Sequence, residues 1–186
     1  MKKFSLIVAL FLAILLLQNC SKDTVTATAS TTQTLFATIN DSTWTTNTYT
    51  AVINYDATSK SKIFSCFATG NNKKIVMSVT QNNTTNTPGF PVKSFLSDAA
   101  GTNNFSFLTT TNGGVNYVQH GIVGPGSGSL SVTGIDSVKK VITGIFYFTA
   151  VKNNLDSNGN IISTSVSQIT SGAFNAMPYT FTQVAN

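Results

Sequence analysis

The chain has 186 residues, and only 9% of them are charged, against roughly 25% in a typical soluble domain. All eleven basic residues are lysine and all six acidic residues are aspartate, so arginine and glutamate are absent. This composition argues against most enzyme classes and against long helices, which are usually built from Ala, Leu, Glu, Lys and Arg. The length suits a single all-β domain.

The N-terminus has the pattern of an export signal. Lys2 and Lys3 precede an apolar run from Phe4 to Leu17 that only Ser5 interrupts, and this run is too short for a membrane span of about 20 residues. Cys20 then closes a Leu-Gln-Asn-Cys sequence that resembles the lipobox of bacterial lipoproteins, with Gln and Asn in place of the usual small residues. The resemblance implies that residues 1–19 are a lipoprotein signal peptide and that Cys20 becomes the acylated N-terminus. The alternative is an ordinary signal peptide that is cleaved elsewhere, with Cys20 incidental.

Acylation of Cys20 predicts a membrane partner. Each buried CH₂ of a lipid contributes about 0.8 kcal/mol, so several acyl chains anchor a protein almost permanently. Residues 20–33 are rich in Thr, Ala and Ser and are interpreted as the lipidated cysteine and a flexible tether. The segment 21–23 (Ser-Lys-Asp) resembles the export signals of surface lipoproteins in Bacteroidetes-type bacteria. We therefore expect an outer-membrane, lipid-anchored protein, on the periplasmic face or the cell surface.

The charge of the exported chain does not predict nucleic-acid binding. Without Lys2 and Lys3, nine lysines face six aspartates, a net charge of about +3. The adjacent pairs 73–74 and 139–140 are scattered, and no arginine accompanies them. They are interpreted as solvated residues at turns and strand edges.

Residues 34–186 are predicted to form one β domain. Short runs of alternating apolar and polar residues are separated by Asn, Gly, Asp and Pro, which is typical of an all-β protein. An antiparallel β-sandwich is the predicted fold, and an open lipocalin-like β-barrel is the alternative. The predicted strands are 34–39, 48–55, 62–69, 74–80, 92–96, 104–110, 115–119, 128–134, 140–151, 161–170 and 172–183, the last with a break at Pro178.

The strand around Val141–Ala150 gives the clearest indication of which side chains face the core. Because side chains alternate between the two faces of a strand, Phe146 and Phe148 share one face and Tyr147 lies on the other. The two phenylalanines are predicted to be buried. Cys66 lies in another apolar strand and has no partner once Cys20 is acylated, so it is interpreted as a small buried hydrophobe.

Three segments resemble a Bacteroidetes lipoprotein family of unknown function. Residues 37–44 resemble its A-x-I-(D/N)-G-x-x-W opening, with Asp41 where glycine is common. Residues 144–150 resemble its G-x-F-x-F-x-A strand, and residues 169–175 resemble its closing I-T-x-G-x-F strand. The resemblance implies a lipid-anchored β domain and brings no catalytic residues.

The search for reactive groups finds few candidates. His120 is the only histidine, so neither a metal site nor a cofactor is predicted. A hydrolase that uses His120 and an aspartate remains the alternative function, if the fold places Asp98 or Asp136 beside the imidazole. The glycine-rich segment 124–128 lacks the features of a phosphate loop and is interpreted as a flexible connection. Residues 156–160 are interpreted as a hairpin turn rather than a calcium loop.

Three Asp-Ser or Asp-Thr dipeptides resemble O-glycosylation sites of exported Bacteroidetes proteins. The candidate acceptors are Thr24, Ser42 and Ser137, although such dipeptides are also good turn formers. Taken together, the sequence predicts an envelope protein that acts as a binding or structural module without catalysis, with an envelope protein or a glycan as partner. An exposed aromatic groove would favour this function, whereas a cavity that holds His120 and an aspartate would favour the hydrolase.

Overall fold

The structure, a computed structural model, describes residues 35–111 and 113–184. Within them the chain forms twelve strands in two six-stranded sheets, and no helix is long and apolar enough to cross a membrane. The predicted signal peptide (1–19), the tether (20–33) and the acceptors Cys20 and Thr24 lie outside the described residues.

The two sheets, here called sheet A and sheet B, share no strand. The strands of sheet A, in spatial order, are β2 (Ser42–Thr46), β1 (Leu35–Ile39), β11 (Ile161–Pro178), β10 (Val141–Leu155), β9 (Ile122–Asp136) and β6 (Ser94–Leu96). Those of sheet B are β12 (Thr180–Val184), β3 (Thr48–Asp56), β4 (Ser61–Gly70), β5 (Lys73–Gln81), β7 (Asn104–Thr109) and β8 (Val118–Gln119). The predicted β-sandwich is confirmed, and the lipocalin-like barrel is not formed.

One pairing differs from the predicted antiparallel arrangement. Strand β12 pairs with β3 in parallel, with Phe181 opposite Ile53, whereas every other pair in the two sheets is antiparallel. The chain leaves sheet A at Pro178 and enters sheet B at Thr180 as an edge strand that runs in the same direction as β3. Tyr179 lies at this crossing and is buried.

The core lies between the sheets and is rich in phenylalanine. Phe146 and Phe148 are 2% and 1% exposed, whereas Tyr147 between them is 51% exposed, so the predicted facing of β10 is confirmed. The rings of Phe105 in sheet B and Phe148 in sheet A stack with centroids 5.8 Å apart. Offset aromatic pairs of this kind add to the free energy gained from burying their area.

Strand β2 was not predicted, and its one large side chain joins the two sheets. Trp44 is buried, and its indole N–H donates a hydrogen bond of 2.9 Å to the carbonyl of Gly70 in sheet B. The hairpin that carries it turns at Asn40 and Asp41, whose φ angles are 46° and 64°. Asp41 therefore adopts the left-handed conformation, which Asn and Asp tolerate better than most residues.

Strand β11 is longer than predicted because a bulge replaces the expected break. Its register against β10 shifts between Phe146 and Phe148, and Ser171 has a φ of 50°. Next to it, a Cβ on Gly172 would lie 2.4 Å from the ring of Phe146. Only glycine lets the bulged backbone lie directly on that ring.

The segment 124–128 was predicted to be a flexible connection, and this interpretation is wrong. These residues belong to β9, and Ser97 holds them by hydrogen bonds. Its hydroxyl donates to the carbonyl of Gly124 at 2.7 Å and accepts from the N–H of Gly128 at 3.0 Å. A serine side chain thus replaces ladder bonds that an irregular strand cannot make with its neighbours.

Replacement of Phe148 by alanine should destabilise the domain strongly. The ring is fully enclosed between the sheets, so we expect a loss of about 3–5 kcal/mol in the free energy of unfolding. Tyr147→Ala should cost much less, since half of that side chain is in solvent. Urea unfolding followed by tryptophan fluorescence compares the two variants. Similar losses for both would contradict the assigned facing of β10.

Candidate functional site

The outer face of sheet A carries a shallow apolar groove. Phe36, Ile145 and Tyr147 project from it with exposures of 45%, 54% and 51%. Strand pairing brings the three together, because Phe36 and Ile145 both lie opposite Ala173 on the strand between them. The groove has a volume of about 370 Å³. Its lining consists of Phe36, Ser129, Ser131, Ile145, Phe146, Tyr147, Ser171, Gly172 and Ala173.

The bulge in β11 lies at the floor of this groove. Ser171 is exposed at the bulge, and Gly172 and Ala173 next to it also line the groove. Gly172 lies opposite Phe146, whose ring points into the core, so the ring packs against the inner side of β11 and the groove lies on its outer side.

The groove is uncharged and has hydroxyl groups around its apolar floor. None of the nine lining residues is an aspartate, a lysine, a histidine or a cysteine. Ser131 shares a hydrogen bond of 2.6 Å with Ser94 on β6, which holds its hydroxyl at the rim. An apolar floor with a few polar groups is the usual composition of a small-molecule site.

His120 has no carboxylate partner among the residues that the structure describes. Its Nε2 atom shares a hydrogen bond of 2.6 Å with the hydroxyl of Thr109, and its ring packs 5.4 Å from that of Phe107. Asp98 instead accepts hydrogen bonds from Thr102 and Asn103. Asp136 accepts backbone N–H groups in its own turn. The structure thus places neither aspartate in hydrogen-bond contact with the imidazole.

Asp98 does line a small cavity near β8, with a volume of about 230 Å³. Gln119 lines it as well, but His120 does not. Hydrogen bonds from Thr102, followed in importance by those from Asn103 and Gly101, lower the pKa of Asp98. Within the described part of the chain, no group of three His, Cys, Asp or Glu side chains is arranged to hold a metal ion.

The candidate glycosylation acceptors within the described residues are accessible. Ser42 begins β2 directly after its turn, and Ser137 lies in the turn between β9 and β10; both are exposed. The carboxylate of Asp136 accepts hydrogen bonds from the N–H groups of Val138 and Lys139 at 3.0 and 2.9 Å, and these bonds stabilise the turn. The role of both serines as acceptors stays a prediction.

A buried lysine that was not predicted from the sequence lies at one end of the sandwich. Lys62 is 4% exposed and lies beneath the loop 82–93. Burial lowers the pKa of its ammonium group. The alternation of side chains along β4 indicates this burial, because Lys62 lies on the same face of the strand as Phe64 and Cys66, which face the core. Phe36 and Ile145 show the converse, since they are apolar residues at outward positions of their strands and were not predicted to form a site.

Comparison with protein-family models, with curated proteins and with solved structures found no match.

Cys66 is an inert part of the core. It is fully buried, and its Sγ atom lies 4.0 Å from the sulfur of Met177 on the opposite sheet. Burial raises the pKa of the thiol from 9.0 to about 12. A reactive thiol needs exposure and a lowered pKa, so this environment does not favour nucleophilic chemistry.

The thiol should make the domain sensitive to alkali. Its folded pKa is raised, so its contribution to stability is complete below pH 9 and is lost as the pH rises towards 12. In that window the wild type should lose about 1 kcal/mol per pH unit more than Cys66→Ala. Urea unfolding of both proteins at several pH values measures the difference. Parallel losses would contradict the buried thiol.

Proposed function

We propose that the protein is a lipid-anchored module of the cell envelope that binds a neutral glycan in the groove on sheet A and has no catalytic activity. The observation that carries this proposal is the exposed, uncharged aromatic lining of the groove. A sugar ring has an apolar face of C–H groups and an edge of hydroxyls. The rings of Tyr147 and Phe36 offer a surface for that face, and the hydroxyls of Ser131 and Ser171 offer partners for the edge.

The size of the groove favours a glycan over an envelope protein as the occupant. Its volume of about 370 Å³ lies at the lower end of the range for small-molecule sites, roughly 300–1,000 Å³. A specific protein interface buries about 1,000 Å² or more and usually has a charged or polar rim. One or two sugar rings fill the groove without such an area. The lack of charge in the lining favours neutral rather than acidic sugars.

The membrane anchor is supported by the sequence. An apolar run with a basic start is followed directly by Cys20, and the segments 37–44, 144–150 and 169–175 resemble a Bacteroidetes lipoprotein family. The same features favour placement in the outer membrane, on the periplasmic face or the cell surface. The hydrolase alternative has less support, because the contacts of His120 are a threonine hydroxyl and a phenylalanine ring.

Loss of an aromatic ring from the groove should weaken glycan binding. Tyr147→Ala and Phe36→Ala should each reduce the affinity for a neutral polysaccharide about fivefold, since each removes a stacking surface worth roughly 1 kcal/mol. Affinity electrophoresis in gels that contain mannan, xyloglucan or a β-glucan measures the retardation. Phe67→Ala is the matched control, because Phe67 is 40% exposed on sheet B.

Two results would contradict the glycan proposal. One is migration of the wild type that no polysaccharide of the panel retards. The other is equal retardation of the wild type and both groove variants. Retardation lost in Phe67→Ala and kept in the groove variants would place binding on sheet B.

Replacement of Cys20 by alanine should release the protein from the membrane. Without the thiol no diacylglycerol is attached, so the apolar contribution of its acyl chains is lost. Cells that produce each form are fractionated and labelled with a fatty-acid analogue, with Cys66→Ala as the matched cysteine control. Wild type that is unlabelled and soluble would disprove the lipid anchor.

A further inference from the structure

The buried lysine at the end of the sandwich lies in a cavity of its own, separate from the groove on sheet A. The cavity has a volume of about 520 Å³ between the loop 82–93 and the adjacent ends of β4 and β5. The ammonium of Lys62 donates hydrogen bonds to the hydroxyl of Thr87 at 3.0 Å and to the carbonyl of Gly89 at 2.7 Å. An ammonium group has three N–H donors, so one is left over.

Among the residues that the structure describes, no negative charge compensates this ammonium. The lining of the cavity, as described, contains two lysines, Lys62 and Lys93, and no aspartate. The one ion pair found between the described residues joins Lys139 to Asp136. Desolvation is the cause of the lowered pKa of Lys62, with no charged neighbour contributing. A buried cation without a counter-ion is costly, and an anion that enters the cavity would offset that cost.

A second polar group in the same cavity lacks a partner. Gln81 lies directly opposite Lys62 in the β4–β5 pairing and lines the cavity. Its Nε2 donates to the carbonyl of Asn82 at 2.7 Å, but its Oε1 is buried and accepts no hydrogen bond within the described residues. Buried polar atoms are nearly always paired, so an orphan acceptor points to a missing donor.

The loop over the cavity is held in place at several points. The N–H of Thr84 donates to the carbonyl of Lys60 at 2.8 Å, and the hydroxyl of Tyr179 donates to the carbonyl of Pro88 at 2.7 Å. Phe90, which also lines the cavity, is inserted into the core and is 5% exposed. The cavity is therefore preformed, and a ligand would not have to pay the entropy of ordering the loop.

We propose that this cavity binds a small hydroxy acid of the sugar-acid class. Its carboxylate accepts the free N–H of Lys62, one of its hydroxyls donates to Oε1 of Gln81, and Lys93 attracts the anion at the mouth. A single carboxylate matches the one buried ammonium in charge, whereas a phosphate dianion brings surplus charge into a site without arginine. The proposal is independent of the glycan groove, because the two sites share no residue.

The test is a titration of the full-length chain in detergent micelles with galacturonate, followed by amide proton–nitrogen correlation NMR. Galactose tests the need for charge, and inorganic phosphate tests the choice of anion. We expect galacturonate alone to shift the amides of Gln81 and Gly89 in a saturable way. Lys62→Met should raise the dissociation constant at least about tenfold, and Lys93→Met about two- to threefold. Lys152→Met is the matched control, because Lys152 is exposed at the end of β10. This variant should bind galacturonate as the wild type does.

Gln81→Met keeps the proposal testable if Lys62→Met does not fold. This variant should weaken galacturonate binding about fivefold, as expected when one hydrogen bond is lost. Three results would overturn the proposal: no saturable shift with galacturonate, equal binding of galactose, or tighter binding of phosphate. The first result would mean that Lys62 only holds the loop in place. The second would mean that the carboxylate does not contribute to binding, and the third would mean that the site prefers phosphate to a carboxylate.

Discussion

Alternation of side chains along β10 is the constraint on which both the core and the proposed glycan site depend. Phe146 and Phe148 point inwards, where Phe146 stacks with a ring of the neighbouring β11 and Phe148 with a ring of sheet B. Ile145 and Tyr147 point outwards into the groove. A slip of one residue would exchange the two sets. The stability of the sandwich therefore fixes the geometry of the groove, since the core side chains hold β10 in the register that presents the outer ones.

The bulge in β11 couples the two faces further. Gly172 packs against the ring of Phe146 on the inner side of β11, and the groove lies on the outer side of the same strand. Gly144 is equally constrained, with an added Cβ 2.6 Å from the ring of Phe174. A side chain at either glycine would collide with a core ring. The two glycines thus permit close packing inside the sandwich, directly beneath the strands that carry the groove.

The sequence allowed prediction of local features and not of the contacts that distant segments make. Phe146, Phe148 and Cys66 were predicted to be buried because period-two alternation is a local signal. The parallel pairing of β12 with β3 depends on where a chain crosses between sheets, which no local pattern records. Burial of Lys62 was not predicted because lysine is usually exposed, and the loop 82–93 beneath which it lies is distant in the sequence. The groove was not predicted because its lining residues come from strands that are far apart in the chain.

The few carboxylates of the described residues lie at turns, and most of them accept hydrogen bonds there, which explains why none lies beside His120 or Lys62. Four of the five aspartates in the described residues accept backbone N–H groups in turns: Asp56, Asp98, Asp136 and Asp156. These hydrogen bonds lower the pKa of Asp56, Asp98 and Asp156, which makes them poor proton donors near neutral pH. The fifth, Asp41, lies in the left-handed turn before β2. Among the described residues, the aspartates are therefore committed to turns and none orients His120 or pairs with Lys62, and in the proposed complex the ligand supplies the anion at Lys62.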